Sequence, residues 1–292
     1  MSGNPSGRFQ KKFYFLARRF VAGETIADAL AVVRGLNAEG MTATLDFLGE
    51  DVLTREGALR TRDTYFEMLD AIGESGVASN VSVKLTAMGL LFDEALAKQN
   101  LIDLAEHARR NPDPFVRIDM EGSAVTAATL RVFRETFAEH KNVGEVLQAY
   151  LRRTPADVDE AIARQARVRL CKGAYNEPPE IALKRMIDIR AQYLELAKEL
   201  LLHGNYPGIA THDRRLIAGV KELVGNEGIA RDRFEFQMLY GCRPSVQRQI
   251  VSDGYRLRIY VPFGTHWAGY FYRRVLERRE NALFAVSSIF SR

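Results

Sequence analysis

The chain has 292 residues, 47% of them hydrophobic and 27% charged, with 41 lysines and arginines against 37 acidic residues for a net charge of +4. That length and composition fit one large soluble domain whose core needs no disulfide or metal. The near balance of charge gives no electrostatic case for a nucleic-acid partner, and no run approaches the roughly 20 apolar residues that would cross a bilayer.

From the N-terminus, residues 1–40 carry helical patterns (Phe9 to Phe20 and Thr25 to Ala38) and read as a helical arm or cap ahead of the main domain, 41–292. No signal-peptide apolar run follows the basic residues of the opening segment. From residue 41 onward, short β-rich runs alternate with longer helical ones. The expected strands are MTATLDF (41–47), VSVKL (81–85), FVRIDM (115–120), VGEVLQA (143–149), RVRLC (167–171), GIATH (208–212), FEFQML (234–239) and RLRIYV (256–261). Between them lie helical stretches such as TREGALRTRDTYFEMLDAIGES and FDEALAKQNLIDLAEHARR. Another, TPADVDEAIARQA, reads as capped by Thr154, with Pro155 in the first helical position and Asp157 closing a T-x-x-D box. Strands each followed by a helix imply a parallel sheet, and eight of them at this length predict a closed (β/α)8 barrel of TIM type. The competing open, doubly wound sheet would want a glycine-rich phosphate loop, and neither G-x-G-x-x-G nor G-x-x-x-x-G-K-[ST] occurs.

In such a barrel the strands' C-terminal ends meet at the functional mouth. Polar residues recur there: Asp46 and Glu50, Lys84, Asp119 and Glu121, Gln148, Arg169 and Lys172, Thr211 with His212 and Asp213, Gln237, and Tyr260. Any one is unremarkable, because strand ends meet water; recurrence around the ring points to a large polar site. The five histidines form no HxH or HExxH spacing, so a zinc site is not expected, and no G-x-S-x-G elbow is present. Cys171 and Cys242 make no CxxC pair and read as inert thiols of a reducing compartment. Many hydrogen-bond donors without a nucleophile suit chemistry carried by an organic cofactor.

The last segment, YFYRRVLERREN, is helical in pattern. At about 100° per residue, Tyr270, Arg273, Arg274, Glu277 and Asn281 fall on one polar stripe, with Phe271, Val275 and Leu276 opposite. Periodicity leaves two readings open, a solvated face or an anion clamp. Residues 243–279 hold eight arginines against Asp253 and Glu277, but no recognition-helix or RNA-binding signature accompanies them.

Taken together, RLCKGAY (169–175), ATHD (210–213), FQMLYG (236–241), YVPFG (260–264) and YFYRRVLERREN resemble the FAD-dependent proline dehydrogenase family, most closely its monofunctional bacterial type. The resemblance runs in order from DFLGE (46–50) through SVKL and IDMEG, over about residues 40–285. It implies oxidation of L-proline to Δ1-pyrroline-5-carboxylate by hydride transfer to FAD, with the last helix lying over the barrel mouth. It implies further that Arg273, Arg274 and Lys84 bind the substrate carboxylate and that Glu277 holds the arginines. Tyr175, Leu239, Tyr260 and Tyr270 would wall the ring. Arg169 near the flavin N5 and Asp119 beside it would be the catalytic pair. Met120, Gln148, Arg169, Lys172, Gly173, Ala174, Thr211, His212 and Asp213 would contact FAD, although the family more often has asparagine where Asp213 stands. Glu50 would match an acidic gate residue. The resemblance implies a cytoplasmic protein, peripheral on the inner face of the cell membrane, with a membrane quinone as electron acceptor and a pyrroline-5-carboxylate dehydrogenase downstream.

Overall fold

The computed structural model describes residues 17–49 and 52–270. Eight parallel strands close on themselves in chain order. They are β1 (Thr42–Phe47), β2 (Ser79–Val83), β3 (Val116–Ile118), β4 (Val143–Gln148), β5 (Val168–Cys171), β6 (Gly208–Ala210), β7 (Glu235–Leu239) and β8 (Leu257–Phe263). β8 pairs with β1 over Thr42–Phe47, which seals the ring and leaves no strand edge exposed. The expected barrel is therefore present.

The helices described are α1 (Ile26–Ala38), α2 (Arg55–Ser75), α3 (Glu94–Ala108), α4 (Ser123–Glu139), α5 (Thr154–Ala163), α6 (Met186–His203), α7 (Arg214–Asn226) and α8 (Pro244–Ser252). α1 starts at a capping box in which Thr25 and Asp28 satisfy each other's backbone N–H at 3.1 Å. Its Ala29, Leu30 and Val33 are buried in the same apolar cluster as Leu45, Val81 and Ile259 of the strands. The expected last helix over the mouth, from Phe271 onward, lies outside the described residues, as does the arm before residue 17.

Two local expectations need correction. β2 begins at Ser79 and ends at Val83, so Lys84 stands just past the strand. The expected strand, 81–85, leaves out Ser79 and Asn80 and takes in Lys84 and Leu85. Inside the barrel, however, Asn80 is satisfied by Thr44 Oγ1 at 2.6 Å and by donating to Asp113 at 3.0 Å. The Thr154 cap is also absent. Arg153 is the N-cap, the Thr154 hydroxyl donates to the Gln148 carbonyl at 2.5 Å, and Asp157 instead accepts Arg153 at 2.7 and 2.9 Å. A strand-end carbonyl that needed a donor outcompeted the helix terminus.

The barrel interior is unusually polar. Arg169 on β5 reaches Ser82 on β2 at 3.2 Å, a contact between strands that are not neighbours and so one made through the lumen. At the lower end, Arg258 donates to Glu235 at 2.7 Å, to Asp113 at 3.2 Å and to the Ala43 carbonyl at 2.7 Å. Arg117 donates to the carbonyls of Glu145 and Arg167 at 2.9 and 2.5 Å. Gly144 leaves it room, since a Cβ there would stand 2.8 Å from Arg117 Nη1 and 2.6 Å from the Arg167 carbonyl.

One buried carboxyl runs against this pattern of pairing. Glu145 on β4 is 4% exposed, and burial pushes its pKa up to about 8 despite the nearby Arg134; Asp157 and Glu160 push the same way as burial. The folded protein thus keeps a proton that the unfolded chain loses near pH 4.5, so stability falls as pH rises between that value and about 8. Glu145→Gln is expected to be more stable than the parent at pH 8, on the order of 2–4 kcal/mol. Below pH 4 the two should unfold together. Thermal unfolding across pH 4–8 checks it, and parallel curves for the two proteins would refute it.

Candidate active site

The chain delivers a ring of polar side chains to the C-terminal ends of its strands, as barrel geometry requires. Asp119, one residue past β3, is their meeting point. Its Oδ1 accepts Arg169 Nη1 and Ser82 Oγ, each at 2.7 Å, and its Oδ2 accepts the Tyr260 hydroxyl at 2.7 Å. Arg169 in turn donates from Nε to Gln237 Oε1 at 2.5 Å, and its guanidinium carbon lies 5.3 Å from the Tyr260 ring centre. Among the described residues Arg169 Nη2 makes no hydrogen bond. Burial, then the charges of Asp119 and Asp46, raise the Tyr260 phenol well above its ordinary value, so it acts as a fixed donor.

Beside this cluster is an ion pair between Lys84 and Asp46, with Nζ 3.1 and 3.0 Å from the two carboxylate oxygens. Both residues are buried, at 9% and 1% exposure. Asp46, Lys84, Asp119, Arg169 and Tyr260 form one patch of alternating charge, contributed by β1, β2, β3, β5 and β8.

Around the neighbouring arc, Gln148 is buried and donates to the Glu121 carbonyl at 3.1 Å. Lys172 lies 3.4 Å from Asp213, which also accepts Arg190 at 2.7 Å and the Arg215 N–H at 3.1 Å as N-cap of α7. Burial works against the Asp213 charge, yet the Arg190 hydrogen bond and the Lys172 charge hold its pKa below the usual carboxylate value. Thr211 Oγ1 accepts the Asp213 N–H at 3.1 Å, and His212 Nε2 accepts the Leu239 N–H at 2.9 Å, so a neutral His212 carries its proton on Nδ1. Met120 is buried in the main core, whereas Ala174 and Tyr175 are exposed, Tyr175 by 41%. Gly173 has φ +112°, and a Cβ there would overlap the Tyr150 ring, so both backbone and packing demand glycine. The Cys171 thiol donates to the Leu147 carbonyl at 3.5 Å, and burial pushes its pKa up to about 12, which makes it a poor nucleophile. Tyr270 is buried in a separate cluster with Phe20, Leu48 and Trp267. Arg273, Arg274, Glu277 and Glu50 lie outside the described residues.

Asp46 and Gln237 appear in the sequence analysis only as polar strand ends and Ser82 not at all; the structure pairs Asp46 with Lys84, Ser82 with Asp119 and Gln237 with Arg169. The available signal was alternation. In FEFQML, Glu235 and Gln237 interrupt an apolar strand at every second position, the mark of a side that faces something polar. Gly208 opposite belongs to the same device, because its missing side chain makes room for the Gln237 amide.

The family model described as proline dehydrogenase matches residues 29–286. Proline dehydrogenase 1 of Bacillus subtilis (strain 168) is 42% identical over 275 residues, covering 94% of this chain and 90% of its own. The proline dehydrogenase of Deinococcus radiodurans is 37% identical over 285 residues, covering 96% and 92%. Among solved structures, proline utilization A from Bdellovibrio bacteriovorus, inactivated by N-propargylglycine, superposes with a TM-score of 0.84 at 30% identity. It covers 93% of this chain and 33% of that one, so the present chain spans about a third of that longer protein.

Proposed function

Because this chain belongs to the proline dehydrogenase family, we propose that it oxidises L-proline to Δ1-pyrroline-5-carboxylate with FAD as its cofactor. The observation that carries the reading is the buried Lys84–Asp46 and Arg169–Asp119–Tyr260 patch at the barrel mouth. Bound FAD would supply the hydride acceptor at its N5. The residues suit such a group. Arg169 has Nη2 uncommitted among the described residues while its other nitrogens are fixed, and the β4–β6 ends offer Gln148, Lys172, Thr211 and His212 along one arc.

In this reading Gln148, Arg169, Lys172, Thr211, His212 and the backbone from Gly173 to Ala174 hold the cofactor, with Met120 and Asp213 behind it. Arg169, positioned by Gln237 and Asp119, places a cation where negative charge grows during hydride transfer. Lys84, with Arg273 and Arg274 held by Glu277, takes the substrate carboxylate, for which paired guanidinium forks are well shaped. Tyr260, Tyr175, Tyr270 and Leu239 wall the pyrrolidine ring, an apolar enclosure suited to a saturated substrate. Tyr260, its hydroxyl turned to Asp119, would also crowd a hydroxyl on that ring. Residues 1–40 are proposed as a cap on a catalytic domain of 41–292, with Glu50 as a gate. Electrons would pass to a membrane quinone through peripheral contact, and the labile product to a pyrroline-5-carboxylate dehydrogenase. Among the described residues no helix is long and apolar enough to cross a membrane.

The test is spectroscopic. The purified protein, supplied with FAD, is expected to show a bound-flavin spectrum that bleaches on adding L-proline without oxygen. Bound flavin that stays oxidised with proline would redirect the substrate to another cyclic amino acid. Failure to bind FAD would remove the reading.

A further inference from the structure

We propose that Asp46 is a positioning residue of this site: it fixes the Lys84 ammonium at the place where the substrate carboxylate is received. The inference rests on the proposed role of Lys84.

Lys84 stands one residue beyond β2, at the N-terminal side of a short 3-10 turn (Leu85–Met88), on a backbone in the extended region. Its side chain is long and flexible, and an ammonium at 11% side-chain exposure is costly to keep charged without a counter-charge. Asp46, on the adjacent β1, meets that need. Both of its oxygens lie within 3.1 Å of Nζ, which fixes direction as well as charge. The two strands are tied together behind Asp46. The Tyr65 hydroxyl donates to the Ser82 carbonyl of β2 at 2.7 Å and accepts the Phe47 N–H of β1 at 3.3 Å. Tyr65 is 1% exposed and sits on α2, so an outer helix fixes the two strands that carry Asp46 and Lys84.

The position matters as much as the pairing. In register, Asp46 lies opposite Ser82 of β2, and Ser82 Oγ donates to Asp119. The lysine pair and the arginine pair are therefore fastened to the same rung of the barrel. A shift of Asp46 moves Lys84 relative to Asp119 and Tyr260, which is the relation a small substrate would sense.

The experiment uses the FAD-loaded full chain and measures KM and kcat for L-proline in Asp46→Asn, Lys84→Met and the double variant. Asp46→Asn is expected to raise KM roughly 10- to 100-fold with a much smaller change in kcat. In the Lys84→Met background it should add nothing further, because its effect runs through the lysine. Should Asp46→Asn fail to fold, comparison of the double variant, which leaves neither charge unpaired, with Lys84→Met still decides. Equal KM values support the proposal, and a double variant markedly worse than Lys84→Met overturns it. A lowered KM in Asp46→Asn also overturns it, because the aspartate would then only have competed for the ammonium. Failure of the proline reading itself shows separately, as wild-type flavin that proline does not bleach.

Discussion

Under the proposed flavin chemistry, replacing Arg169 with lysine is expected to slow anaerobic bleaching of the flavin by L-proline roughly 10²- to 10³-fold, with FAD still bound. The charge is kept, so the effect isolates geometry. The guanidinium uses Nε for Gln237 and Nη1 for Asp119 and Ser82, and its plane holds Nη2 in a fixed direction. A lysine at 169 offers a single point of charge on a mobile stem and cannot reproduce the guanidinium's fixed directions towards Asp119 and Gln237. Rapid-mixing measurement of the bleaching rate at saturating proline reads the step directly. A rate within a few-fold of the parent would mean that Arg169 serves only to neutralise Asp119 and that its orientation is immaterial.

The second large effect is expected at the opposite end of the lumen. Glu235→Gln should destabilise the fold by about 3 kcal/mol, because it leaves Arg258, 7% exposed, with only part of its counter-charge. For a chain of this size the unfolding midpoint should fall by roughly 5 °C. The pH dependence gives the sign. Burial opposes the Glu235 charge, but Arg258 and the Gln237 amide hold its pKa below the ordinary glutamate value. Its contribution is thus complete above the unfolded-state pKa and is lost as pH falls through the lower folded value. The gap between parent and variant should be full at pH 7 and close in acid. A gap that does not change with pH would show that the lost stability is packing rather than charge.

The barrel was legible in the sequence because it depends on short-range signals. Period-2 runs, helical runs and turn residues repeat along the chain, and each strand was found within a few residues of its place. The ring of polar strand ends was legible for the same reason. What was hidden is pairing. Asp46 and Lys84 are 38 residues apart, Ser82 and Arg169 are 87 apart, and Asp119 and Tyr260 are 141 apart. Nothing in local periodicity says which strand end faces which across a closed sheet. The same blindness explains the two local errors. Asn80 falls outside the expected strand because its partners Thr44 and Asp113 are distant in sequence, and Thr154 reads as a helix cap until the Gln148 carbonyl comes within reach.

The polar interior has a further consequence. From floor to mouth, Arg258 donates to Glu235, Gln237 donates to Glu235 and accepts from Arg169, and Arg169 and Tyr260 both donate to Asp119. Relay of protons requires every link to accept one proton as it gives up another. Here guanidinium groups only give, ionised carboxylates only receive, and the amide cannot exchange its roles. Among the described residues, this column of guanidinium, carboxylate and amide groups transmits position along its length without relaying a proton. A proton released at the mouth of the barrel is therefore not handed down this column from Asp119 to Glu235.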